Sequence, residues 1–310
     1  MKKDFISEHF EKKGLLLGGQ KDLKIENLKY QSVVNDFEEY GLIIFRDFNN
    51  DPKKITSVTD LYTQSYANDA PRREKSAGEK NFNTVDVGFG DGDHEIEMPL
   101  HSEASYSPSW PEIVWFYCRL APKKSGQTTV CDGRSIYKNL SQKTKNFFLS
   151  NQIVYKLKIP YERKKNNQSD IEEIKLKPWY IENPGVTDCF IDFKNKEIHL
   201  KQKRYAVVET RKSNKVSFSN HLQIILDRDP QVLGWSLEDG SKIPDDIMSE
   251  VKKVSDRLTI NINWNDNELC MIDNKRMMHG RRAILENEKR DILNIQSLRA
   301  SFGYGSTTRK

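Results

Sequence analysis

Residues 258–300, LTININWNDNELCMIDNKRMMHGRRAILENEKRDILNIQSLRA, decide the fold. The segments LTININ, ELCMIDN, RMMHGRR and RDILNIQSLRA are short runs of β-branched and apolar residues. Asn265-Asp266-Asn267 and Asp273-Asn274 separate them, and such residues favour turns. The same texture runs backwards through the chain in RYAVVET, EIHLKQ, CFIDF, QIVYKLKIPY, TTVCD and EIVWFYCRL. GLIIFRDF at 41–48 is a continuous apolar run ending in charge, as a buried strand would be. Helices are predicted over residues 53–68, in GRSIYKNL capped by Asp132 and in QKTKNFFLS capped by Ser141. NHLQIILDR and IPDDIMSEVKKVSDRL are two more. Many short strands, a few helices and no strand–helix–strand alternation predict a mainly β fold with flanking helices, either a sandwich or a barrel.

The whole of residues 1–310 is expected to form one domain, since all-β domains can run to roughly 250 residues undivided. The Gly-, Asp- and Asn-rich stretch 70–97 has the character of a lid loop, and the polar stretch at about 163–187 that of an insertion. The start, MKKDFISEHFEKK, has no apolar run like that of a secretory leader. No stretch of about 18 apolar residues would cross a membrane. Cys118, Cys131, Cys189 and Cys270 form no CxxC pair. Reduced thiols and a cytoplasmic location are therefore expected. The net charge of +5 comes from 50 basic and 45 acidic residues, well mixed. That balance lacks the concentrated footprint of a nucleic-acid binder and suits a small, anionic substrate. Nothing in the sequence reports the oligomeric state.

In MPLHSEASY, His101 and Glu103 would share one face of a strand, because side chains alternate along it. His279 in CMIDNKRMMHGRR, also at a strand end, supplies a second imidazole. A lone His-x-Glu is weak evidence, and His9, His94, His199 and His221 are taken as structural. The three together match the two-His, one-carboxylate facial set of non-heme Fe(II) oxygenases, which leaves positions open for a cosubstrate and dioxygen. A zinc hydrolase would accept the same three with a water. Arg290 and Thr128 separate the two chemistries. If RMMHGRR and RDILNIQSL are adjacent antiparallel strands, Arg290 returns to the metal cavity and its guanidinium offers a two-pronged site for a carboxylate. The Thr128 hydroxyl, just past a Gly turn, can donate to the same carboxylate. A dicarboxylate cosubstrate favours iron over zinc.

At these residues the chain resembles a known family. His101-Ser102-Glu103, FYCRLAPKKSGQTTVCDGRSIY and MIDNKRMMHGRR followed by Arg290 are similar to the taurine dioxygenase and clavaminate synthase-like superfamily, over roughly residues 40 to 300. The resemblance implies a double-stranded β-helix, or jelly-roll, core. It implies Fe(II) held by His101, Glu103 and His279, and 2-oxoglutarate held at its distal carboxylate by Thr128 and Arg290. It further implies dioxygen as cosubstrate, release of succinate and carbon dioxide, and hydroxylation of an unactivated C–H bond in a small molecule, amino acid-like or a biosynthetic intermediate. A second Arg four residues after the first, which holds a sulfonate in taurine dioxygenases, is here Asn294. The full carboxylate of Glu103 argues against halogenation. Desaturation or oxidative cyclisation at the same centre, a silent jelly-roll binding module and a macromolecule-modifying oxygenase are the alternatives. Candidate substrate-wall residues are Asn83, Phe89, Tyr106, Trp110, Arg281 and Arg299. Of these, Arg281, two residues from His279 on the same face, best suits an anionic group.

Overall fold

The computed structural model describes residues 2–7, 13–19, 22–48, 55–67, 84–86, 96–160, 185–210, 215–224, 232–285 and 288–303. Its strands are β1 (Lys2–Ser7), β2 (Lys13–Gly18), β3 (Leu42–Arg46), β4 (Thr63–Tyr66), β5 (Thr84–Asp86), β6 (Met98–His101), β7 (Ile113–Leu120), β8 (Thr128–Asp132) and β9 (Gln152–Pro160). They continue as β10 (Val186–Asp192), β11 (Glu197–Tyr205), β12 (Val207–Thr210), β13 (Lys215–Phe218), β14 (Val232–Ser236), β15 (Ile260–Asn261), β16 (Glu268–Asp273), β17 (Met277–Arg281) and β18 (Asp291–Ala300). The helices are α1 (Tyr30–Tyr40), α2 (Ile55–Tyr62), α3 (Gly133–Asn139), α4 (Gln142–Ser150) and α5 (Asp245–Leu258). None of them is long and apolar enough to cross a membrane.

The core is a jelly roll of two facing sheets. The major sheet runs β1-β2-β3-β16-β7-β18-β4, with β5 also paired to β18, and the minor sheet runs β15-β8-β17-β6. Alternation along the major strands sorts their side chains. Phe45, Trp115, Tyr117, Leu269, Leu293 and Ile295 point outward under α1 and α2, joining Phe37 and Val58. Ile44, Val114, Phe116, Cys270 and Ile292 point inward and meet Val130 and Met277 of the minor sheet. The opposite face of the minor sheet, with Leu100, Cys131 and Met278, packs on α3, α4, α5 and a third sheet of order β10-β11-β9-β14. The minor sheet is thus covered on both faces, and residues such as Met277 and His279 face the space between the two core sheets.

Local chemistry sets the element ends. Asp132 accepts a hydrogen bond from the Arg134 N–H, and Ser141 one from the Thr144 N–H, so both are the helix caps that the sequence predicts. α1 stops at Gly41, whose φ of 72° is left-handed and whose missing Cβ leaves room for the Arg276 side chain. Three expectations are corrected. The helix predicted over 53–68 ends at Tyr62, and Thr63–Tyr66 pairs with β18 instead, because β-branched and aromatic residues gain more from a sheet edge. In NHLQIILDR, residues 221–224 are bends and turns, not helix, and residues 225–228 lie outside the described residues. The Asn220 side chain there bonds backbone at Ala206 and Leu222, competing with helical bonds. β17 and β18 are not neighbours but lie in the two opposed sheets. The proposed lid at 70–97, apart from β5 and residues 96–97, and the insertion at 163–187, apart from 185–187, lie outside the described residues. The four cysteines are free thiols.

Arg276 ties these layers together. Its guanidinium donates to Asp132 Oδ2 at 2.6 Å and to the Glu39 carbonyl at 2.8 Å, with 9% and 7% of the Arg and Asp side chains exposed. Burial alone would raise the Asp132 carboxyl, but the Arg276 charge and hydrogen bonds hold it below the ordinary carboxylate value. A depressed native value means that this stabilisation is present above the ordinary carboxylate pKa and lost as pH falls through the native one. Arg276→Ala leaves a buried, unpaired carboxylate and is expected to cost about 3–5 kcal/mol. Denaturant titration at neutral pH measures this, and a cost below about 1 kcal/mol would contradict it.

Candidate metal centre

His101 and His279 are directly paired residues of β6 and β17, so the ladder itself sets their imidazoles side by side, with ring centroids 4.5 Å apart. Gly280 makes that possible. A Cβ there would lie 2.4 Å from the Met98 carbonyl oxygen and 2.8 Å from Thr129 Oγ1, so only glycine lets β17 seat between β6 and β8. The Pro99 carbonyl lies 2.9 Å from His101 Nδ1 and accepts its proton in the neutral ring, leaving Nε2 as a lone-pair donor. The Phe116 ring packs edge-on to His279 at 5.1 Å.

Glu103 arrives differently from the strand alternation expected. β6 ends at His101, and Glu103 lies in a turn beside Ala104, whose φ of 49° is left-handed. A buried asparagine holds that turn. Asn274 Oδ1 accepts from the Glu103 N–H at 2.8 Å, and its Nδ2 donates to the carbonyls of Glu103 and Pro111, each at 2.9 Å. Ser102 Oγ donates to the Asn274 carbonyl at 2.6 Å. The outcome is a carboxylate whose Oε2 lies 3.9 Å from His101 Nε2 and 3.7 Å from His279 Nε2. One ligand atom from each of the three residues falls within 4.8 Å of the others. Two imidazole nitrogens and one carboxylate oxygen, gathered within the fold, are a donor set that fits a divalent metal.

Thr128 and Arg290 lie within the same inter-sheet space. Arg290 immediately precedes β18 of the major sheet, and its Nη2 lies 3.3 Å from Thr128 Oγ1 of the minor sheet. Trp264 Nε1 donates to that same oxygen at 2.9 Å. With two donors on its lone pairs, the Thr128 hydroxyl has its own proton left to give. Arg290 is 3% exposed, and burial, aided by the nearby Arg281 charge, lowers its pKa to about 10. A buried guanidinium of this kind suits a carboxylate.

The other predicted residues scatter. Arg281 is opposite Thr128 in the β17–β8 ladder and donates to the Ile96 carbonyl at 3.4 Å. The buried Tyr106 ring packs at 4.6 Å on His221, which itself lies edge-on to His101 at 5.3 Å. The Trp110 indole donates to Ser102 Oγ at 2.8 Å and carries the Lys275 ammonium 3.5 Å over its ring, so it braces the Glu103 turn from behind. Arg299 is exposed and paired with Glu112 at 3.0 Å. Asn83 and Phe89 lie outside the described residues. Sequence reasoning missed Asn274, Trp264 and His221. Asp273-Asn274 carried only the signal of a turn, and nothing in the chain's order marks the other two.

The family model of the taurine catabolism dioxygenase TauD, TfdA family matches residues 10–296. The chain belongs to that family. As a TauD, TfdA family protein it is an Fe(II)- and 2-oxoglutarate-dependent oxygenase that takes dioxygen as cosubstrate and small molecules as substrates. Solved structures share the fold. PvcB, described as an Fe, alpha-ketoglutarate dependent oxygenase from an isonitrile synthetic pathway, is 14% identical over 92% of this chain and 85% of its own, with a TM-score of 0.57. AAD-2 in complex with Mn(II) and N-oxalylglycine is 14% identical over 100% of both chains, with a TM-score of 0.59. A taurine dioxygenase from Burkholderia xenovorans is 10% identical over 95% of this chain and 88% of its own, with a TM-score of 0.60. No curated protein matches the chain.

Asn274→Ala removes the side chain that anchors the Glu103 turn. It is expected to weaken divalent-metal binding by roughly 10–100-fold, the range for groups that orient a metal ligand. Competition with a chromogenic chelator measures it, and an unchanged affinity would dissociate the turn from the centre.

Proposed function

We propose that this TauD, TfdA family protein hydroxylates an unactivated C–H bond of a small molecule, amino acid-like or a biosynthetic intermediate. His101, Glu103 and His279 hold the iron, and Thr128 and Arg290 hold the distal carboxylate of 2-oxoglutarate. The observation that carries this reading is the pairing of two sites in one inter-sheet space, a buried His-Glu-His cluster and a buried Arg290–Thr128 pair. A metal site alone would suit hydrolysis as well, whereas a buried guanidinium beside a hydroxyl donor suits a carboxylate cosubstrate.

Iron bound here supplies dioxygen activation, coupled to decarboxylation of 2-oxoglutarate to succinate and carbon dioxide. The residues do the rest. The Pro99 carbonyl keeps His101 in the tautomer whose Nε2 is free to ligate. Glu103 contributes charge that partly neutralises a dication. Thr128 and Arg290 fix one end of the cosubstrate, so its keto-acid end is delivered at a set reach. Phe116, Val130 and Ile292 line the space between the sheets with apolar surface and keep water out. The intact Glu103 supports three protein ligands and therefore oxygenation over halogenation. Desaturation and cyclisation use the same centre and differ in product. Hydroxylation adds one oxygen atom to the substrate, and the alternatives remove two hydrogens.

The test is anaerobic addition of Fe(II) and 2-oxoglutarate, followed through the weak visible charge-transfer band of the chelate. The wild type should show the band, and His279→Ala should abolish it. Arg290→Gln should keep the band at saturation while raising the 2-oxoglutarate dissociation constant at least tenfold, as expected for a charged hydrogen bond worth about 1.5–3 kcal/mol. A wild type without a band, or a band indifferent to His279, would sink the assignment. A screen of small molecules for stimulated succinate release then identifies the substrate.

A further inference from the structure

Thr128 and Arg290 come together from opposite sheets, each at the exit of a loop. Residues 121–127 lead from β7 of the major sheet to Thr128, the first residue of β8. The loop that returns from β17 to the major sheet ends at Arg290, just before β18. The two loops are stitched together. Past the last β17–β8 ladder pair, Arg281 with Thr128, the Arg282 N–H donates to the Gln127 carbonyl at 2.9 Å and the Gly126 N–H to the Ala283 carbonyl at 2.8 Å. The Leu285 N–H donates to Ser125 Oγ at 2.9 Å. Gly126, with a left-handed φ of 77°, lies so close to the second loop that a Cβ there would meet Ile284 at 2.9 Å and the Arg290 side chain at 3.4 Å.

Glu288 closes the stitch. Its Oε1 accepts from the Lys123 N–H at 2.8 Å, and its Oε2 accepts from the Lys124 N–H at 2.8 Å and the Ser125 N–H at 3.2 Å. Three successive amides turned on one carboxylate form an anion-binding concavity. These bonds, that of Lys123 foremost, hold the Glu288 carboxyl below its ordinary value, so the amides grip the charged, acceptor-only form. Residues 288–290 belong to no strand or helix, and the β18 ladder starts only at Asp291. Glu288 is thus the anchor on one side of Arg290, two residues away, and the β18 ladder is the anchor on the other. Without Glu288, the stretch before Arg290 loses its charged hold on the loop that carries Thr128.

Resting on the oxygenase reading above, we propose that Glu288 is a positioning residue for the cosubstrate: docked on the amides of residues 123–125, it fixes Arg290 against Thr128 at the spacing that one carboxylate can bridge. The hydrogen bonds of Glu288 all go to backbone, so it acts through Arg290 and not on the cosubstrate itself. Affinity for 2-oxoglutarate is then a property of how the two loops are held. Metal affinity is set elsewhere, by the β6–β17 ladder and the Asn274 turn.

The experiment titrates 2-oxoglutarate into the anaerobic Fe(II)-loaded protein and reads its dissociation constant from the charge-transfer band. The wild type is compared with Glu288→Gln, Glu288→Ala, Arg290→Gln and the double variant of Glu288→Ala with Arg290→Gln. Glu288→Ala is expected to raise the constant roughly three- to tenfold, as for a residue that acts by placing another. Its Fe(II) affinity, read by chelator competition, should equal that of the wild type. Glu288→Gln keeps an oxygen for Lys124 and Ser125 but sets an NH2 against the Lys123 N–H, so its constant should fall between the two. In the Arg290→Gln background Glu288→Ala should add nothing, because the group it positions is gone. Three results would each overturn the assignment: a constant unchanged in Glu288→Ala; an effect equally large without Arg290, which marks a general loosening of the loops; or an Fe(II) affinity that falls in step, which marks damage to the core. A band missing from the wild type itself would instead remove the oxygenase reading, so the two failures are distinguishable.

Discussion

The carboxamide of Asn274 is the constraint on which the metal centre depends. It sits in the turn between β16 and β17, where the chain passes from the major sheet to the minor one. From there it holds Glu103 by both backbone groups and Pro111 by its carbonyl. The two imidazoles need no such device, because the β6–β17 ladder places them. Glu103 has left the ladder, in a turn with a left-handed alanine, and would wander without an anchor. Arg276, two residues on, pins the same corner to Asp132 and to the end of α1. One short turn therefore sets the spacing of the sheets and the position of the third ligand together.

The inter-sheet space has a polar end and an apolar middle. Thr128, Trp264 and Arg290 gather at one end, with Arg281 close enough to weaken the hold of Arg290 on its own proton. Phe116, Val130 and Ile292 occupy the middle. Apart from the Glu103 carboxylate of the His-Glu-His cluster, the charge gathered around Thr128 lies where a dicarboxylate would end, and the surface between is apolar. That separation suits chemistry on a C–H bond, which offers the protein no charge to grip.

Much of this was legible in the chain, for identifiable reasons. β-branched runs between Asn-Asp turns located β16, β17 and β18, because strand propensity and turn chemistry are local. His101, Glu103 and His279 stood out by residue type. Their convergence is non-local, and the reason first given for it was half right. His101 does lie on a strand, but Glu103 reaches the cluster by a turn. Arg290 was placed near the centre on the supposition that β17 and β18 adjoin; the sheet order puts it opposite, across the space. Trp110 and Arg299 fit a wall by composition alone, yet one braces a turn and the other pairs with Glu112. Asn274 escaped notice because an asparagine that caps a turn and one that anchors a ligand loop read alike. In the described part of the short helix predicted from Asn220, residues 221–224 turn instead, because that asparagine competes for backbone bonds.

The direct pairing of His101 with His279 bears on how the protein is made. A one-residue slip between β6 and β17 would turn one imidazole to the opposite face of the sheet. The strands concerned are far apart in the chain; Ser102 and Asn274, beside them, are separated by 172 residues. Long-range pairings of this kind form late in folding. A nascent or misregistered chain would hold these three side chains apart, without the clustered donor set that suits a divalent metal. The ladder that pairs the two imidazoles thereby ties the donor set to strand register.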